Sequence, residues 1–130
     1  MRITVSADVK LDKVRDAITI ERDRRLALGF DFNGKRFDFD QASQIRILGT
    51  VQAAQEAKSG NVTDDALWYD GTTPFGWIAQ DNSVMVMDIT TCIEFGKAAA
   101  QHTTDHVRAA YALKTSSPIP SDYTDDQYWP

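Results

Sequence analysis

The sequence predicts an α+β fold: three helices over about 7–28, 41–58 and 89–115, two β-hairpins over about 30–39 and 77–87, and an extended C-terminal tail. Three observations carry this expectation. Asn33-Gly34 sits between runs that alternate Phe with polar residues, the pattern of a two-residue hairpin turn. Three other segments place apolar residues three and four apart and are bounded by capping or stop residues. After Ser116 neither period survives. At 130 residues, with 42% hydrophobic and 25% charged residues, the chain is sized for one soluble globular domain. We place that domain over 7–115, with an N-terminal arm over 1–6 and a tail over 116–130.

Arg2-Ile3-Thr4-Val5 alternates and is rich in β-branched residues, so it suits either a short strand or an arm that adds to a neighbour's sheet edge. Ile3 and Val5 are its candidate partner-binding residues. The first helix has Leu11, Val14 and Ile18 on one face and Gly29 as its stop. In its second half, Glu21-Arg22-Asp23-Arg24-Arg25 carries charge around the whole cylinder and is expected to be a solvated surface. In the hairpin that follows, Phe30 and Phe32 are expected to share a face with Phe37 and Phe39 as their cross-strand partners. Asp31, Lys35, Arg36 and Asp38 are assigned to the solvated face.

Asp40 or Ser43 can cap the second helix, whose apolar stripe is read as Ile45, Leu48, Val51 and Ala54, ending at Ser59-Gly60. Residues 61–74 are rich in Asp, Thr, Gly and Pro but hold Leu67, Trp68 and Tyr69, the pattern of a loop pinned by aromatic anchors. A short polar turn, Asp81-Asn82-Ser83, separates the two β-prone runs of the second hairpin. Asp88, or Thr91 with Glu94 as a capping box, starts the third helix. Ile93, Gly96, Ala100, Thr103 and Val107 give that helix a face of small residues, which lets another helix approach closely. Ser116-Ser117-Pro118-Ile119-Pro120 ends it.

The tail mixes prolines and aspartates with Tyr123, Tyr128 and Trp129. A plain disordered tail is poor in aromatics, so these three are expected to order the segment against a surface, its own domain or a partner's, with the aspartates aimed at a basic patch. Tyr and Trp are frequent interface anchors, and the three are named here as partner-binding candidates.

The composition and motifs exclude several functions. A net charge of −5 opposes sequence-independent nucleic-acid binding, which depends on Lys and Arg neutralising phosphates. Apolar runs are too short for a spanning helix and the N-terminus lacks a signal-peptide layout, so synthesis in the cytoplasm and no membrane insertion are expected. The single cysteine, Cys92, reads as a small buried hydrophobe. His102 and His106 have a spacing that can put two imidazoles on one metal, but no Glu follows His102 as a metalloprotease helix requires, and they are read as half-buried helix-flank residues. Asp64, Asp65, Asp70 and Asp81 lack the Gly and terminal Glu of a calcium loop and are assigned to turns and caps. No phosphate loop or nucleophile elbow is present. No catalytic residue, metal or cofactor is expected, and the chain is read as non-enzymatic.

Several stretches, taken in order, resemble the DUF4376 family of bacteriophage and prophage proteins. They are Ile20-Glu21-Arg22-Asp23-Arg24-Arg25 closing on Gly29-Phe30, the hairpin Phe32-Asn33-Gly34-Lys35-Arg36-Phe37-Asp38, and Asp40-Gln41-Ala42-Ser43-Gln44. Trp77 before Asp81-Asn82-Ser83, the run Val84-Met85-Val86-Met87-Asp88, and Phe95-Gly96-Lys97-Ala98-Ala99-Ala100-Gln101-His102 complete the set. The resemblance spans about residues 10–114 and leaves the tail uncovered. It implies a virion structural protein of the tail, tail tip, baseplate or tail fibre, working through contacts with other tail proteins in multiple symmetric copies, with a host-surface receptor as a further partner. It transfers no catalytic residues. The alternatives are a tail-fibre assembly factor absent from the finished particle, and a carbohydrate-binding module that stacks sugars on Trp68, Tyr69 and Trp77.

Overall fold

A computed structural model describes residues 7–130; the expected arm, with Ile3 and Val5, lies outside the described residues. The elements are α1 (Ala7–Ala27), β1 (Phe30–Phe32), β2 (Lys35–Phe37), α2 (Gln41–Ser59), β3 (Gly76–Ile78), β4 (Val84–Val86), α3 (Ile89–Lys114) and a 3₁₀ turn (Asp126–Tyr128). β1 pairs with β2 and β3 with β4, each antiparallel, so the architecture is α+β with three helices and two hairpins. The chain packs as two compact units, one of residues up to Leu26 with Thr103–Pro130, the other of Ala27–His102.

In the second unit, Gly29 adopts φ +114, and a Cβ there would stand 2.5 Å from Gln80 Nε2 and 2.6 Å from the Phe37 carbonyl, so only glycine fits between these groups. Asn33 and Gly34 both have positive φ, as the tight hairpin turn demands. Counting outward from that turn pairs Phe32 with Lys35 and Phe30 with Phe37. This corrects two expectations: Phe39 lies past the last ladder pair, and Lys35 sits opposite a Phe. Phe39 is nonetheless buried. Lys35 escapes the apolar face sideways, donating to the Ser83 hydroxyl and standing 3.9 Å from Asp81 in the other hairpin. Gln80 N–H donates to the Arg36 carbonyl at 2.8 Å, and Gln80 Nε2 donates to the Leu28 carbonyl at 3.0 Å. The turn end of the second hairpin is thereby tied along the first.

Phe95 is the hub of this unit's core. Its ring centroid lies 5.2 Å from Phe30, 5.3 Å from Phe32, 5.0 Å from Phe37 and 5.2 Å from Trp77. The contacts with Phe32 and Phe37 are edge-to-face, the geometry that aromatic quadrupoles favour. α2 meets the core with Ser43, Ile47 and Ala54, whereas Ile45 and Leu48 point to water at 65% and 70% exposure. Of the expected stripe, Ala54 is buried and Val51 half-buried, whereas Ile45 and Leu48 lie off the buried face. A polar residue, Ser43, masks the true stripe; its hydroxyl is satisfied by the Asp40 carboxylate at the N-cap position.

α3 begins on Asp88, whose carboxylate accepts from Thr91 N–H at 2.8 Å, and it buries Ile89, Cys92, Phe95 and Ala99. Ala100 and Val107 are exposed, so the small-residue face is not the buried one. Gly96 alone fulfils the close-approach expectation. A Cβ there would come within 2.3 Å of Val51 Cγ2 on α2. In the loop after α2, Trp68 is buried and its indole N–H donates to the Met87 carbonyl at 3.0 Å, which pins the segment as expected.

In the first unit, Ile18 of α1 packs with Ala110 and Leu113 of α3 and with Trp129 of the tail, and Val14, Ile119, Tyr123 and Tyr128 close around them. The charged half of α1 is not simply solvated. Glu21 is buried and accepts from Arg24 at 2.5 Å and Arg25 at 2.9 Å. Arg25 reaches on to the Thr124 carbonyl at 2.7 Å and Asp126 at 2.8 Å, and its guanidinium lies 5.3 Å from the Trp129 ring. The bonds from Arg24 hold the Glu21 carboxyl below its ordinary value, against the desolvation that raises it.

Candidate functional site

Two adjoining grooves of about 360 and 410 Å³ run along the second unit and share Arg46, Gly76 and Trp77. α2 supplies one wall with Arg46, Gly49, Thr50 and Ala53, and β3 supplies the other with Trp77 and Ile78. Tyr69 and Phe75 stand at one end, and Asp38, Gln80 and Asn82 at the other. The walls are backed by the core: Trp77 lies tilted against the Phe95 hub, and Phe75 packs 5.1 Å from Trp68. Gly49 contributes no side chain, which keeps the α2 wall low.

The polar groups of this groove are largely unspent. Trp68 and Trp129 satisfy their indole N–H groups with the Met87 and Tyr123 carbonyls, but Trp77 Nε1 has no hydrogen-bond partner among the described residues. Arg46 uses one nitrogen on Ser43 Oγ at 3.1 Å. The side chains of Asp38 and Asn82 make no hydrogen bond among the described residues. Asn82 adopts φ 66, which turns the loop tip back over the hairpin.

A second surface lies on the same hairpin. The register pairs Ile78 with Val84 and Gly76 with Val86, so Ile78, Val84 and Val86 share one face, and they are 64%, 59% and 54% exposed. The first unit has an apolar groove of about 750 Å³ between the start of α1 and Thr115–Ser121, walled by Leu11, Val14, Ile119 and Tyr123.

The residues singled out from sequence fall in different places. Trp68 is spent on the core and offers no stacking face, while Tyr69, 61% exposed, and Trp77 line one groove. Trp129 is buried on its own unit, and the Tyr128 hydroxyl donates to Asp122 at 2.8 Å, which raises the Tyr128 pKa. Of the two surfaces the sequence left open to the tail, the aromatics occupy the chain's own. His102 lies 5.2 Å edge-on to Phe39 and 5.9 Å from Phe30, whereas His106 is buried and stacked 6.5 Å from Trp129. Each imidazole is packed against its own set of rings, and no group of three His, Cys, Asp or Glu among the described residues is placed to hold a metal ion.

Cys92 is buried, and desolvation, helped by Asp88, pushes its thiol up to about 12, far from a reactive thiolate. The loop aspartates make turns and caps: Asp70 accepts from Thr72 and Thr73 N–H, Asp65 from Leu67 N–H, Asp81 from Ser83, and Asp64 from Thr90 at the start of α3. Those bonds hold the Asp64, Asp70 and Asp81 carboxyls below their ordinary values. Sequence reasoning missed Arg46 altogether, assigned Asp38 to a solvated face and read Asn82 only as a turn residue. Nothing local marks them, because residues 38, 46, 77 and 82 meet only through the packing of hairpin on helix.

No curated protein and no solved structure matches the chain. A family match covers residues 9–127, extending past the 10–114 span of the resemblance and into the docked tail, and by that match the chain belongs to the family described as Domain of unknown function (DUF4376).

Proposed function

We propose that this chain is a non-enzymatic structural component of a phage virion, in the tail, tail tip, baseplate or tail fibre, acting through protein–protein contacts. The phage setting rests on what the family resemblance implies. The observation that carries the contact role is the outer face of the β3–β4 hairpin. Ile78, Val84 and Val86 are β-branched, adjacent and left in water. Covering such a face is favourable by about 25 cal/mol per Å² of apolar surface, and clustered apolar exposure rimmed by polar residues marks interaction sites. Two-stranded sheets also leave ladder edges open for a neighbouring strand. Repetition of one such contact around a symmetry axis places several copies in an assembly.

The test is Val84→Asp in the gene, followed by mass spectrometry of purified particles. The expected result is a wild-type chain present in particles and a variant that is made and folds, with an unchanged melting transition, but is missing from them. Equal incorporation of the variant overturns the contact reading. Absence of the wild-type chain from finished particles overturns the structural reading in favour of the assembly factor.

A further inference from the structure

We propose that the groove between α2 and β3 binds a neutral saccharide, a function beyond the assembly contact; the groove borders the contact face at Ile78, but Val84 and Val86 lie outside it. The Trp77 indole, backed by Phe95 at 5.2 Å, lines both halves of the groove, with Tyr69 exposed at one end. A sugar ring presents an apolar face of C–H groups that lies flat on such rings. Its hydroxyls, at the rim, each need a donor or an acceptor.

The groove supplies both kinds. Trp77 Nε1–H and the remaining Arg46 nitrogens donate, Asp38 accepts, and the Asn82 amide does either; none of these is consumed by the fold apart from the single bond from Arg46 to Ser43. The contrast among the tryptophans is the sharpest sign, since the two that are buried, Trp68 and Trp129, have their N–H groups satisfied by backbone carbonyls. Arg46 and Asp38 carry opposite charges, which favours a neutral ligand over a phosphate or a carboxylate. The grooves are shallow and ringed by planar side chains, without the deep apolar pocket that anchors a peptide side chain. Their volumes lie near the lower end of the usual range for small-molecule sites, about 300–1,000 Å³.

The experiment is a screen of the full chain against an array of neutral hexose and N-acetylhexosamine oligosaccharides, followed by titration calorimetry on the strongest binder. Saturable binding is expected, weakened about tenfold or more by Trp77→Ala and by Arg46→Ala, the scale of one lost hydrogen bond or stacking contact. Because Trp77 also touches Phe95, Arg46→Ala and Asp38→Asn, both at exposed positions, carry the test if Trp77→Ala melts early. Val84→Asp, outside the groove, is expected to bind the sugar like the wild type, so loss of assembly and loss of sugar binding are separable. Failure of every oligosaccharide to bind, undiminished binding by Arg46→Ala and Asp38→Asn, or capture of peptides from a display library without any sugar binding overturns the proposal.

Discussion

Replacing Phe95 with Ala tests the central packing claim. The ring is 0% exposed and has Phe30, Phe32, Phe37 and Trp77 within 5.3 Å of its centroid. Phe side chains bury about 150–250 Å², so at about 25 cal/mol per Å² the transfer component alone is about 4–6 kcal/mol. Measured Phe-to-Ala losses in cores run about 3–5 kcal/mol, with partial collapse of the cavity setting the value. Three of the four neighbours, Phe30, Phe32 and Phe37, belong to the short β1–β2 hairpin, so collapse around the void also loosens β1 and β2. We expect a loss of about 4 kcal/mol, a large share of a typical stability of about 5–15 kcal/mol. In urea titrations followed by circular dichroism, with a slope of about 2 kcal/mol per M, the midpoint should fall by about 2 M. Phe95→Leu keeps most of the apolar volume and should recover more than half of the loss. A loss under about 1.5 kcal/mol for Phe95→Ala, with unchanged slope, would refute Phe95 as the hub on which the hairpins are built.

Two further outcomes follow from the same structure. Ile47→Ala should cost about 2–4 kcal/mol, whereas Leu48→Ala should stay within about 0.5 kcal/mol; equal losses in urea titrations would return α2 to the orientation its sequence suggested. Glu21 has a lowered carboxyl pKa, so the unfolded chain binds its proton more tightly and the stabilisation it provides, complete above the ordinary value of 4.5, is lost as pH falls through the folded value. Glu21→Gln should therefore cost about 1–2 kcal/mol at neutral pH and flatten the acid limb of a stability-versus-pH curve; a parallel shift with an unchanged acid limb would show that other carboxylates govern it.

Much of the architecture is local chemistry and is readable along the chain. Asn33-Gly34 needs two positive φ values and so dictates a tight reversal wherever it occurs, Gly29 marks a helix stop with its positive φ, and Asp88 marks a helix start because its carboxylate satisfies an orphan N–H there; Asp40 occupies the N-cap position of α2 but accepts from the Ser43 hydroxyl rather than from the backbone. Helix existence and order follow from such signals. Which face of a helix is buried does not, once a polar residue sits in the buried stripe. Ser43 hides the stripe of α2 and His106 that of α3, because their polar groups find partners the linear pattern cannot display. The charged run on α1 carries the same lesson: Glu21 and Arg25 become a dock for Trp129 and Asp126 only because α1 and the tail lie side by side in one unit.

The sequence by itself determined three helices, two hairpins and the family, since caps, turns and ordered short motifs act over a few residues. Tertiary structure alone decided the groove. Trp77, Arg46, Asp38 and Asn82 come from a strand, a helix and two connecting segments, and whether an indole N–H is spent or open depends on what packs beside it, a quantity with no periodicity in the chain.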